Sequence, residues 1–268
     1  EVLGVRPEFR ALRAHCPLLA IWDDHDYGMN DGGRHYPQKE ASKEVFLDFW
    51  GESGESSRFD HAGIYHEERF TDGARTVQVL LLDTRTFRDD LVPAAEDPRF
   101  KNAYRPNLDP EATILGEAQW AWLEKCLHAP ADLRVIATSI QFGHSYNGWE
   151  SWTNVPLERQ RLIETVQRSR ANGVVLISGD VHWGEISRQD VDGGYPLYDV
   201  TASGINQEWD VIEPNTRRVG EAVAEHNVGF LDIDWSTPDP VVTLGSVDVN
   251  GKERHQIQVA LSELSFSD

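Results

Sequence analysis

Short apolar runs that end in polar or charged clusters, separated by segments of helical periodicity, constrain this chain more than any other feature. Leu80-Leu81-Leu82 leads into Asp83-Thr84-Arg85, residues 133–139 form a second run, and Val174-Val175-Leu176-Ile177 leads into Ser178-Gly179-Asp180-Val181-His182-Trp183. Apolar runs this short, bounded by turn residues, read as buried strands. Residues 115–127 read as an amphipathic helix with Leu115, Trp122, Leu123 and Cys126 on one face, and residues 156–170 as a helix opening at Pro156. Upstream, residues 7–15 place Phe9 and Leu12 three apart on a short helix, and residues 39–50 carry a stripe of Val45, Phe46, Phe49 and Trp50. Residues 63–70 and 76–82 read as neighbouring strands joined as a hairpin through Thr71-Asp72-Gly73. After Gly184 the character changes to short strands with turns such as Asp192-Gly193-Gly194, and residues 228–264 alternate, as in Leu231-Asp232-Ile233-Asp234-Trp235. The pattern is an α/β core with an antiparallel C-terminal portion.

Composition narrows the function classes. The 268 residues suffice for a full core, and 40% hydrophobic content with nine tryptophans excludes a disordered chain. A formal charge of −20 argues against a nucleic-acid surface, and the arginines are scattered and form no basic groove. An anionic small substrate is compatible with that charge when a cation in the site inverts the local field. The two cysteines, Cys16 and Cys126, make no disulfide framework and read as buried free thiols. No apolar run approaches the ~20 residues of a membrane helix, and no signal peptide is visible in the chain. Compartment and oligomeric state stay open.

Two strand-end clusters carry chemistry. Pro17-Leu18-Leu19-Ala20-Ile21 reads as a short buried strand and delivers Trp22-Asp23-Asp24-His25-Asp26-Tyr27 to the loop Gly28-Met29-Asn30-Asp31-Gly32-Gly33. Three carboxylates and an imidazole at a strand end are costly to pack unless paired or holding a metal. An acidic, solvated turn is the simpler alternative; the His lying between carboxylates favours a metal-assisted site. In the second cluster, an extended backbone would project Asp180 and His182 to one side, about 7 Å apart, able to converge on one ion. Clusters of one type at two strand ends strengthen each other, because sites in open α/β sheets gather where strand C-termini meet.

Asp83 and Arg85 read as a buried pair that fixes the following loop. Residues 141–159 form a long loop that could wall a pocket, with Trp149, Trp152 and Asn154, then Pro156 and Glu158-Arg159. His144 and Asn147 are further candidate ligands. The remaining histidines, His15, His35, His61, His66, His128, His226 and His255, have no partner pattern and read as structural or surface residues.

Taken in order, Trp22-Asp23-Asp24-His25-Asp26-Tyr27-Gly28, Leu82-Asp83-Thr84-Arg85, Leu115-Gly116-Glu117-Ala118-Gln119-Trp120, Trp152-Thr153-Asn154-Val155-Pro156-Leu157-Glu158-Arg159 and Ser178-Gly179-Asp180-Val181-His182 resemble the motifs of the PhoD-like branch of the calcineurin-like metallophosphoesterases. Thr201-Ala202-Ser203-Gly204 and Asn227-Val228-Gly229-Phe230 resemble its C-terminal segments. The resemblance covers nearly the whole chain, read as one domain over residues 1–268. It implies a four-layer α/β/β/α sandwich with a multinuclear centre, two or more ions of Fe, Ca, Mn or Zn, that hydrolyses small phosphate esters of the monoester or diester class. It casts Asp24, Asp180 and His182 as metal ligands, His25 as the residue assisting at the leaving group, and Asp26 as the acid that orients His25.

One departure bears on activity. The family's early metal-binding motif and its Gly-Asp-x-x-Tyr-x-Asp motif lie upstream of the Trp-Asp-Asp-His segment, and neither occurs here. The expectation is therefore an N-terminally incomplete domain lacking its first strand or strands. The rival to a phosphoric ester hydrolase is a non-catalytic scaffold that keeps at most a partial metal site.

Overall fold

The computed structural model describes residues 2–95 and 97–267. The apolar runs do become the central strands. A seven-stranded sheet has the order β1-β2-β5-β6-β8-β7-β9, built from β1 (His66–Asp72), β2 (Arg75–Leu81), β5 (Leu133–Ala137), β6 (Val174–Ser178), β7 (Gly184–Gln189), β8 (Leu197–Ala202) and β9 (Arg218–Val223). The small strands β3 (Val92–Pro93) and β4 (Tyr104–Arg105) pair with each other in a long connection. Strands β2, β5, β6 and β8 run parallel, so their C-terminal ends open on one edge. The outer strands β1, β7 and β9 are antiparallel to their neighbours. The β1–β2 hairpin turns between Asp72 and Arg75.

Among the described residues five helices accompany the sheet: α1 (Pro7–His15), α2 (Asp24–Tyr27), α3 (Lys39–Trp50), α4 (Gly116–Leu127) and α5 (Pro156–Ser169). The last two pack on each other and share a contiguous core with the strands, Leu123 and Leu127 of α4 and Leu162 and Val166 of α5 joining Leu80, Ile136, Val175 and Leu176. An antiparallel second sheet, β10 (Asn227–Asp234), β11 (Val241–Asp248) and β12 (Glu253–Ala260), sends Val242, Leu244 and Val259 into the same core and packs against β7 and β8. The α/β core with an antiparallel C-terminal portion thus matches the pattern of the sequence. A smaller cluster of Trp22, Tyr27, Phe46, Leu47 and Ile64 ties α2 and α3 to the hairpin side. Among the described residues no helix is long and apolar enough to cross a membrane.

Four local expectations are corrected. Residues 17–21 form no strand: their backbone joins no ladder among the described residues, and a strand exists only through a partner that takes its N–H and C=O groups. Cys16 is exposed, because α1 buries none of its residues, whereas Cys126 is buried as expected. On α3 the buried pair is Phe46 and Leu47, with Val45 facing water. The backbone at residues 179–183 bends, with Asp180 at φ 73° and His182 at φ 63°, so the extended geometry that would place them on one side does not persist.

Candidate functional site

The parallel edge gathers polar groups from the segments that follow β2, β5 and β6, joined there by residues 22–24. From the end of β2, Asp83 is fully buried and organises the loop after it. Its Oδ1 accepts from Arg85 N (2.9 Å), Thr86 N (2.9 Å) and Trp22 Nε1 (3.0 Å), and its Oδ2 from Ile64 N (2.9 Å) and Thr86 Oγ1 (2.6 Å). Asp83 therefore fixes the loop as expected, but through backbone and hydroxyl groups. The Arg85 guanidinium turns elsewhere, to Asp23 and to Glu150 Oε2 at 2.6 Å. Trp22 is the hinge of this arrangement: anchored by Asp83, it brings the following Asp23 to Arg85.

Asp23, Glu150 and Asp180 converge, each offering a carboxylate oxygen within 4.8 Å of the others. Glu150 comes from the long loop between β5 and α5, flanked by Trp152 in the core, and Asp180 from the bend after β6. Arg88 closes the group, its Nη2 at 2.8 Å from Glu150 Oε1 while also donating to the carbonyls of Asp31 and Gly32. The two Glu150–arginine contacts hold by charge, since the Glu150 oxygens lack aligned hydrogen-bond donors. Burial opposes the Arg85 charge, yet Glu150, Asp23 and Asp180 outweigh it and keep the guanidinium protonated well beyond its ordinary range. Asp180 goes the other way: burial, then the charges of Asp23 and Glu150, push its carboxyl well above the usual carboxylate range. With Asp180 ionised, as a bound cation would favour, three carboxylates outnumber the two guanidinium groups, and the donor set of oxygens suits a hard cation. The residues present thus fit a metal.

The sequence candidates fall into two groups. Asp180 belongs to the convergent cluster. Asp24, beside it, is buried, but its two oxygens accept from His25 N (2.7 Å) and Asp31 N (3.1 Å). His25 extends into solvent, 79% of its side chain exposed, with Nε2 3.8 Å from Asp24 Oδ2. Asp26, expected to orient His25, instead accepts from the Asp23 backbone N at 3.1 Å as the capping box of α2, so the nearest acid to the His25 ring is Asp24. His182 lies edge-on to Trp209, ring centroids 6.1 Å apart.

Of the further candidates, His144 and Asn147 are both fully buried. Asn147 is satisfied by Gln141 Oε1 and Trp149 N. His144 accepts from Tyr146 N and sits 4.0 Å from Glu185; burial outweighs that carboxylate and holds its pKa down at about 4. Glu158 and Arg159 are structural: Glu158 Oε2 accepts from Thr113 Oγ1, Ile114 N and Trp120 Nε1, and Arg159 donates to Phe142 O.

Asp23 and Glu150, which meet Asp180 in the cluster, and Arg88, which closes it, carry weaker signals in the sequence. Asp23 stood inside a motif in which the neighbouring Asp24 took the role. For Glu150 a signal existed, a lone acid between two tryptophans in Trp149-Glu150-Ser151-Trp152.

Fold and site together define an α/β protein with an acidic, arginine-bridged centre at the C-terminal ends of its parallel strands. The profile of the family described as PhoD-like phosphatase matches residues 5–208, and the chain belongs to that family. It is 28% identical over 203 residues to alkaline phosphatase D of Bacillus subtilis (strain 168), covering 68% of this chain and 34% of that protein. A solved structure entitled "Structure of PhoD" shares the fold with a TM-score of 0.60 at 21% identity, over 94% of this chain and 56% of that one. The chain thus spans between a third and somewhat more than half of these relatives' lengths.

Proposed function

We propose that the protein hydrolyses phosphate esters with the help of bound metal ions, and that residues 1–268 act as one domain whose layers form a four-layer α/β/β/α sandwich. The observation carrying this reading is the convergence of Asp23, Glu150 and Asp180 within 4.8 Å at the strand ends. Asp180, with Asp23 and Glu150, would hold a cation, with Asp24 and His182 as further ligands. A bound ion supplies charge neutralisation at the phosphoryl oxygens and acidifies a water. Arg85 and Arg88 hold the carboxylates in place. His25, solvent-facing with its Nε2 3.8 Å from Asp24 Oδ2, would assist at the departing alkoxide.

The test is turnover of p-nitrophenyl phosphate and bis(p-nitrophenyl) phosphate with and without chelator. Loss on chelation, recovery with Mn, Ca, Zn or Fe, and a drop of about 100-fold or more in His25→Ala support the reading. Folded protein that takes up no metal and turns over neither ester would sink it. One observation favours the rival, a non-catalytic scaffold: Asp23 and Glu150 are already paired by Arg85 and Arg88. That rival expects metal-independent stability and no turnover.

A further inference from the structure

Residues 203–217 connect β8 to β9 and rise from the same edge as Asp180, since β8 runs parallel to β6 with Thr201 opposite Ser178. This connection leaves three large apolar side chains in water: Ile205 at 74% exposure, Trp209 at 39% and Val211 at 67%. Single exposed apolar residues are ordinary, but three within seven residues of one strand-end loop call for a cause.

The loop is not simply loose. Glu208 Oε1 accepts from His226 N at 3.0 Å. Glu213 receives Lys101 Nζ at 2.6 Å and Asn102 Nδ2 at 2.7 Å, and its carbonyl receives Arg218 Nη2 at 2.6 Å. Asn215 bonds Ser145 N at 3.1 Å and Ser187 Oγ at 2.8 Å. These tethers fix the connection on both flanks of Trp209. The aromatic ring that Trp209 meets among the described residues is that of His182, 6.1 Å away and inclined at 63°. An indole left 39% exposed beside His182, two residues along the chain from Asp180, offers a flat apolar face next to the strand-end cluster. Glu208 and Asp210 on either side of it disfavour an organic group that carries further negative charge.

We propose that Trp209 is the specificity residue for the organic group of the ester, selecting apolar, above all aromatic, groups over small ones. The proposal rests on the reading that the neighbouring centre binds a phosphoryl group. It concerns the part of the substrate that does not react.

The experiment is calorimetric titration of the Mn-loaded protein with 2-phenylethylphosphonate and ethylphosphonate, which share the phosphoryl mimic and differ in the aromatic ring. Wild type should bind the aromatic ligand about tenfold more tightly, which corresponds to about 1.4 kcal/mol. Trp209→Ala should erase that preference while leaving ethylphosphonate affinity unchanged, and Trp209→Phe should restore most of it. Equal affinities in wild type, or a preference that survives in Trp209→Ala, would overturn the proposal, as would absence of binding by either ligand. Turnover of the corresponding esters separates the two claims. A Trp209-dependent preference without turnover removes the hydrolase reading alone; turnover without the preference removes this inference alone.

Discussion

Asp83 shows how much can hang on one carboxylate. It accepts five hydrogen bonds while fully buried, and through Trp22 it positions Asp23. Asp83→Asn replaces one acceptor oxygen with a donor facing other donors, so about 3 kcal/mol of stability should be lost, read as a lower urea midpoint. His144 gives a pH dependence whose sign follows from its burial. Its folded-state pKa of about 4 lies below the ordinary value of about 6.5, so the unfolded chain takes up the proton first. Its stabilising contribution is present above pH ~6.5 and is lost as pH falls towards ~4, by up to about 3 kcal/mol. Urea unfolding across that window checks this, and His144→Phe should flatten the dependence. At this scale the sequence singled out Asp180, which meets Asp23 and Glu150, and Asp24, whose oxygens accept from the His25 and Asp31 backbone. The Asp26 carboxylate accepts from Asp23 N, and whether a carboxylate caps a helix or orients a ring depends on a side-chain direction that spacing does not encode.

Elements were legible where their partners are also apolar runs. Strands β5 and β6 and the C-terminal half of β2 are mostly apolar and buried because both of their faces are covered, and their limits were close to those expected. Residues 17–21 have equally apolar composition but no neighbouring strand among the described residues, and composition alone cannot supply a ladder. The bend at Asp180 and His182 is a similar case: two non-glycine residues at positive φ each cost about 1–2 kcal/mol and persist only because their surroundings hold them. The connection from β5 to α5, which carries Glu150, docks through Gly143. Its N donates to Asp199 Oδ2 at 2.6 Å, and an added Cβ would lie 2.5 Å from Ser187 Cβ and 2.7 Å from Asp199 Cβ. Gly143→Ala should therefore lift the whole connection from β7 and β8, at a cost of about 2 kcal/mol. The same change should weaken metal uptake, measured by calorimetry, because Glu150 travels with the connection.

Charge dominates at the scale of the whole molecule. With a formal −20 and carboxylates converging at one edge, the proposed cation binding would be coupled to stability in one equilibrium. A divalent ion at one hundred times its dissociation constant should stabilise the fold by about 2.7 kcal/mol, seen as a rise in melting temperature reversed by chelator. Asp180→Asn should remove most of that rise and, in chelator, melt no lower than wild type, since burial and the charges of Asp23 and Glu150 already disfavour an ionised carboxyl there. A metal-induced rise undiminished in Asp180→Asn would place the ion elsewhere. What the sequence by itself determined is the alternation of strands and helices, the antiparallel C-terminal portion and the family, because hydrophobic periodicity and ordered motifs are local properties of the chain. Which acids meet was decided by tertiary structure alone. Asp23, Glu150 and Asp180 come from three distant segments, and only the parallel order of the strands, with Arg85 drawn between the carboxylates, brings their charges to one point.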